Sequence, residues 1–305
     1  MFTAPLGFAA ADEPPAADAP AIDTVYFPAA DGKTELVGYV FRPAGAGPHP
    51  AIVMLHGRAG PYSSRVNVSC TRVARDLPSP CNATTLSLRH AMWGRYWAAH
   101  GYLALHVDSF GPRGMAHGFG RHTHGAAQRA AVNELDVRPG DAEAALAYLS
   151  ANPDVLPKRI MLQGWSNGGS TALNVMLLQA AAHTADAADG RPRFRAALAF
   201  YPGCGPAAVL SRAYRADTEL FVFLAGDDEE VSPATCQRLL SSSSVSAGGP
   251  SPVVTLYPGA SHDFDDPGRQ RQSLEANRLA RADVMQRAIK LLDALPSGPT
   301  SSPGH

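Results

Sequence analysis

Short apolar runs recur along the chain at Ala51–Leu55, Leu103–Val107, Arg159–Gln163, Ala196–Tyr201, Leu220–Ala225 and Val253–Tyr257. Such runs, with little polar alternation, suit strands covered on both faces of a parallel sheet. Between them lie helical patterns at His90–His100, Gly140–Ser150, Gly169–His183, Pro233–Leu240 and Gln270–Leu295. Two further strands are expected at 22–29 and 35–42, joined by a turn at Asp31-Gly32. Strands alternating with helices predict an α/β fold, a doubly wound, mostly parallel sheet with helices on both faces. Right-handed crossovers then put the C-terminal ends of the parallel strands on one edge, where ligands of open α/β sheets bind.

A chain of 305 residues, 45% hydrophobic, is long enough to bury a full core. We expect one domain over 22–295, with an irregular insertion at about 58–89. The Ala/Pro-rich residues 1–21 are expected to be a disordered leader or the remnant of a secretory signal. They carry an A-x-A-like Ala9-Ala10-Ala11 but no basic segment. Residues 296–305 are expected to be a disordered tail. A formal charge of −1 gives no argument for nucleic-acid or membrane partners. The four cysteines pair most simply as Cys70–Cys81 and Cys204–Cys236 if the protein is exported to a periplasmic or extracellular space. Four reduced thiols in the cytoplasm are the alternative.

One strand carries chemistry at its end. Residues 159–169 run from an apolar segment into Gly164-Trp-Ser-Asn-Gly168 and straight on into a helical pattern. This is the form of a nucleophile elbow, in which a strained turn holds a serine hydroxyl clear of the sheet edge. Ser166 is the candidate nucleophile. A serine hydroxyl needs a base within hydrogen-bond reach, and His262, on the loop after the last strand, is the candidate. The acid that orients it should come from Asp227-Asp-Glu-Glu230, after Leu220–Ala225. The residue pattern alone does not choose among these four carboxylates. The backbone N–H groups of Asn167 and Arg58 are candidates for an oxyanion hole, with His56 holding the Arg58 loop.

The assembled segments resemble the dienelactone hydrolase family of α/β-hydrolases. They are Met54-Leu-His-Gly57, Trp97-Ala-Ala-His-Gly-Tyr102, Val107-Asp-Ser-Phe-Gly-Pro-Arg-Gly114, Arg138-Pro-Gly-Asp141, Arg159–Gly169 and Tyr257-Pro-Gly-Ala-Ser-His-Asp-Phe264. The likeness covers about 35–293 and points to an exported branch with a serine nucleophile. It implies hydrolysis of carboxylic esters or lactones through an acyl-enzyme, a small-molecule substrate and no cofactor. The founding members carry cysteine where this chain has Ser166, so dienelactone itself is not implied as substrate. The family's acid loop, Gly-x-x-Asp with a proline four further on, puts Glu229 at the acid position, with Asp228 the runner-up. Family arginines that bind anionic substrates suggest Arg113. Trp165 and Tyr201 are candidates to line the acyl pocket.

Rival readings keep different parts of this picture. A peptidase, amidase or thioesterase would use the same three groups on another bond. His117, His122 and His124 sit close enough in sequence to bind zinc in a metal-dependent hydrolase. A binding module on a hydrolase fold is the non-enzymatic alternative.

Overall fold

A computed structural model describes residues 21–121, 123, 127–185, 191–215, 217–241 and 250–296. The leader expected at 1–21 and the tail expected at 296–305 therefore lie almost wholly outside the described residues. Eight strands form one sheet: β1 (Asp23–Pro28), β2 (Glu35–Phe41), β3 (His49–Leu55), β4 (Leu103–Asp108), β5 (Val155–Trp165), β6 (Ala196–Phe200), β7 (Glu219–Ala225) and β8 (Val253–Tyr257). Their order is β1-β2-β4-β3-β5-β6-β7-β8. The strand β2 pairs antiparallel with both neighbours, and from β4 to β8 every pairing is parallel. Each expected strand is present.

Seven helices are described: α1 (Leu88–Ala99), α2 (Ala127–Ala130), α3 (Val137–Ser150), α4 (Asn167–Ala185), α5 (Pro233–Ser241), α6 (Arg269–Gln272) and α7 (Glu275–Asp293). The pattern expected as one helix over Gln270–Leu295 is split into α6 and α7 at Ser273 and Leu274, where Leu274 adopts an extended backbone. Each strand sends alternate side chains to opposite faces, so the sheet serves two cores. Val53, Leu55, Leu103 and Leu105 pack with Leu146 of α3, Leu173 of α4 and Leu239 of α5. Ile52, Met54 and Ala104 pack with Trp93 and Trp97 of α1 and Val284 and Leu292 of α7. This is the doubly wound α/β arrangement expected from the runs.

The stretch 58–89 holds little regular structure: two short 3₁₀ turns, Asn67–Ser69 and Ala83–Thr85, and the disulfide Cys70–Cys81. The second disulfide, Cys204–Cys236, ties the loop after β6 to α5. Both pairings are those expected. Among the described residues no helix is long and apolar enough to cross a membrane.

Beneath the site lies a cluster of three fully buried histidines, His56, His90 and His106. The His106 ring lies 4.4 Å from that of His90 and 6.1 Å from that of His56. Burial pushes the pKa of all three down, that of His90 to about 3, so they stay neutral. Neither ring nitrogen of His106 has a hydrogen-bond partner. Such a group weakens the fold by an order of 1–3 kcal/mol. His106→Leu should therefore raise the unfolding midpoint. The sign with pH follows from the depressed pKa: the unfolded chain takes up the proton first. Wild-type stability should fall relative to the variant as pH drops below about 6.5, by about 1.4 kcal/mol per pH unit. Denaturant titrations of both proteins at pH 7.5 and 5.5 read this difference. A gap that does not widen on acidification would refute the account.

Candidate active site

Ser166 stands between β5 and α4 with φ of 53°, a left-handed backbone that a non-glycine residue rarely adopts. Its neighbours show why the turn needs glycine on both sides. A Cβ on Gly164 would meet the Gly168 carbonyl oxygen at 2.0 Å, and one on Gly168 would meet that of Leu55 at 2.2 Å. The serine's own N–H donates to Phe200 O of β6 at 2.9 Å. Asn167 opens α4, so its N–H has no acceptor within the helix.

The loop after β8 brings His262 to this turn. His262 Nε2 lies 3.0 Å from Ser166 Oγ. Its Nδ1 lies 2.8 Å and 3.0 Å from the two carboxylate oxygens of Asp228. The imidazole is 1% exposed, so these contacts are made out of water. Here the register differs from expectation: Asp228 faces the imidazole, and Glu229 does not. Along the loop, Asp227 and Glu229 are exposed, while Asp228 and Glu230 turn inward. Asp228 also accepts from the backbone N–H groups of Glu230 and Val231, which locks its carboxylate in a tight turn. Glu229 instead accepts from the His262 backbone N–H at 2.9 Å and pairs with Arg271. It supports the histidine loop from the outer side.

Burial alone would lower the His262 pKa. The hydrogen bond to Asp228 and the charges of Asp263, Asp228 and Glu230 outweigh it, and the pKa is raised. Glu230 Oε2 sits 3.9 Å from His262 Nε2, and the Glu230 carboxylate is gripped by Arg58 and Arg121.

A fully buried arginine ties the two candidate oxyanion segments together. Arg138 of α3 donates through Nη2 to His56 O at 2.8 Å and through Nη1 to Asn167 Oδ1. Burial lowers its pKa to about 10, so it remains charged. A Cβ on Gly57 would lie 3.5 Å from Ser166 Cβ, so the loop carrying Arg58 passes directly over the nucleophile. His56 is wholly buried, with Nδ1 2.8 Å from Gly57 O, and acts in the loop as expected.

The three expected substrate contacts fall elsewhere. Arg113 pairs with Asp141 at 2.7 Å and 2.8 Å and donates to Ser109 O, so its guanidinium is consumed in pinning its own loop to α3. Trp165 and Tyr201 are fully buried. Trp165 Nε1 donates to Asp265 at 2.8 Å, and Tyr201 OH donates to the same carboxylate at 2.5 Å. Both belong to a polar network behind His262. Arg89 completes it by contacting Asp263 and Tyr201 OH. Of the histidines in the rival zinc reading, His117 is exposed, with Nδ1 3.3 Å from Cys70 O, and His122 and His124 lie outside the described residues. Among the described residues no cluster suited to a metal ion occurs.

The cleft beside Ser166 has a volume of about 80 Å³. Its walls include Arg58, Arg121, Arg129, Glu134 and Glu230 together with Ala208 and Val231. Glu230 was visible in the sequence only as one of four adjacent candidate acids, with no place of its own. Arg138 escaped because nothing in its local pattern marks an arginine for burial.

The model of the dienelactone hydrolase family matches residues 89–295. Solved structures similar to the chain include a dienelactone hydrolase-like promiscuous phosphotriesterase, P91, from metagenomic libraries. It is 19% identical, covers 90% of this chain and 99% of its own, and has a TM-score of 0.61. A putative dienelactone hydrolase from Klebsiella pneumoniae is 14% identical over 90% of this chain and 100% of its own, with a TM-score of 0.60. The thermophilic esterase Est2 of Thermogutta terrifontis, bound to propionate, is 18% identical over 93% of this chain and 99% of its own, with a TM-score of 0.58. No curated protein matches the chain.

Asp228→Asn should lower kcat by about 10³-fold or more, because the imidazole loses the anion that fixes its tautomer. Glu229→Gln should stay within about tenfold of wild type, since the amide still accepts the His262 N–H. The reverse ranking would restore Glu229 to the acid position. Because the His262 pKa is raised, the acid limb of kcat/KM should have its midpoint above about 6.5. A pH–rate profile of the wild type measures it.

Proposed function

The chain belongs to the dienelactone hydrolase family and is an ester-hydrolysing enzyme, and from that premise we propose that it works through a serine acyl-enzyme. The observation that carries the reading is the unbroken hydrogen-bonded line from Ser166 Oγ through His262 to Asp228. Ser166 attacks the carbonyl carbon as His262 Nε2 takes its proton, and Asp228 stabilises the imidazolium that forms. The N–H groups of Asn167 and Arg58 meet the oxyanion, aided by the positive end of the α4 dipole. His262 then protonates the leaving alcohol, and water hydrolyses the acyl-enzyme with His262 as base.

The small cleft with its charged walls argues for a small acyl group. A long alkyl chain would desolvate Arg58, Arg121 and Glu230 without replacing their hydrogen bonds, an unfavourable exchange. The disulfides Cys70–Cys81 and Cys204–Cys236 favour an oxidising compartment and hence export.

Hydrolysis of p-nitrophenyl esters from acetate to octanoate, by wild type and Ser166→Ala, tests both parts. Turnover should fall by about 10³-fold or more in Ser166→Ala. It should be insensitive to a chelator and should decline from the short acyl chains to the long ones. Chelator-sensitive turnover that survives Ser166→Ala would overturn the serine reading. A maximum at octanoate would overturn the small pocket alone.

A further inference from the structure

The Glu230 carboxylate is a costly feature to keep beside a nucleophile. Its side chain is 9% exposed, and two arginines hold it in place. Arg58 Nε donates to Oε2 at 3.0 Å, while Arg58 Nη2 and Arg121 Nη2 donate to Oε1 at 3.0 Å and 2.7 Å. A carboxylate offers about four lone-pair sites, and these bonds take three. The remaining one is on Oε2, the oxygen 3.9 Å from His262 Nε2. Glu230 and Ser166 line the same cleft.

That separation has a specific meaning for a water molecule. Hydroxyl hydrogen bonds run at about 2.7–2.8 Å. Two acceptors 3.9 Å apart are therefore spanned by one water donating to both, at an angle of about 90° at its oxygen. In the resting enzyme Nε2 faces Ser166 Oγ. Once that oxygen is esterified it has no proton to offer, and Nε2 is open to water.

Resting on the serine acyl-enzyme reading, we propose that Glu230 positions the deacylating water. One hydrogen of the water points to His262 Nε2 and the other to Glu230 Oε2, which leaves a lone pair for the acyl carbon. The C–O bond forms as Nε2 takes the first proton. The second stays on oxygen throughout. The tetrahedral intermediate collapses with cleavage of the bond to Ser166 Oγ, which regains the proton from Nε2. The product acid leaves and ionises in solvent. Glu230 stays an acceptor: burial would raise its pKa, but Arg58 and His262 hold it low. Acylation needs no water and does not use this contact.

Methanol separates this role from a structural one. It can donate its single proton to His262 but has none for Glu230. With p-nitrophenyl acetate in aqueous methanol, the ratio of methyl acetate to acetate reads how the acyl-enzyme partitions. It is read only from molecules that turn over, so partial misfolding does not alter it. Glu230→Ala should raise this ratio by on the order of tenfold, the worth of one hydrogen bond to a charged acceptor. Glu230→Gln, which keeps a carbonyl oxygen, should fall between Glu230→Ala and wild type. An unchanged ratio in Glu230→Ala would overturn the proposal and leave Glu230 as a strut for Arg58. Ester turnover that survives Ser166→Ala would instead overturn the acyl-enzyme itself.

Discussion

Three polypeptide segments meet at the elbow with no room for a side chain between them. Gly164 faces the carbonyl of Gly168, and Gly168 faces that of Leu55. This contact fixes how β5 passes into α4 and how closely both approach the end of β3. Ser166 can hold φ of 53° because this packing, and the bond from its N–H to Phe200 O, leave the chain no relaxed alternative. The strand order then does the rest. With β5 between β3 and β6, the loops after β3, β7 and β8 open on the same edge, and each delivers one part of the site.

The polar groups buried around this edge would be a poor choice for stability alone. A buried charge costs several kcal/mol before its partners repay the loss of water. Arg138 is wholly buried, and its Nε has no partner. Yet its other two nitrogens hold His56 O and Asn167 Oδ1, the backbone and the side chain on either side of the candidate oxyanion hole. An apolar residue of the same bulk would fill the space without setting the distance between those segments. Asp265 has the same character: it collects Trp93 Nε1, Trp165 Nε1 and Tyr201 OH, and so fixes the wall against which His262 rests.

What could be read from the sequence was whatever the backbone period or a steric rule writes locally. Apolar runs gave six of the eight strands, the pair around Asp31-Gly32 gave the other two, and the glycines around Ser166 gave the elbow. His262 was legible because the loop after the last strand reaches the same edge. The carboxylate was not, because Asp228 and Glu229 differ by one position in a loop whose side chains alternate inward and outward. That alternation comes from the turn closed by Asp228 on Glu230 N and Val231 N, which motif spacing does not encode. Arg113 misled for a related reason. Its place after β4 is near the edge, but Asp141, in α3, claims its guanidinium. Trp165 adjoins the nucleophile in sequence, yet a side chain one position away along a strand points to the opposite face.

The charges around His262 balance in a way that bears on catalysis. Three carboxylates, Asp228, Asp263 and Glu230, surround the imidazole, and unopposed they would hold it protonated. Two of them carry their own cations: Asp263 is paired with Arg89, and Glu230 with Arg58 and Arg121. Asp228, joined to Nδ1 and to backbone N–H groups, is left as the carboxylate directed at the ring. The imidazole therefore feels one anion through a direct hydrogen bond and two more through their charge, each of these two with a counterion of its own. Its pKa is raised, while the flanking arginines limit how far the ring is drawn toward its protonated form. Acids can crowd one imidazole in this way because two of the three bring their own counterions.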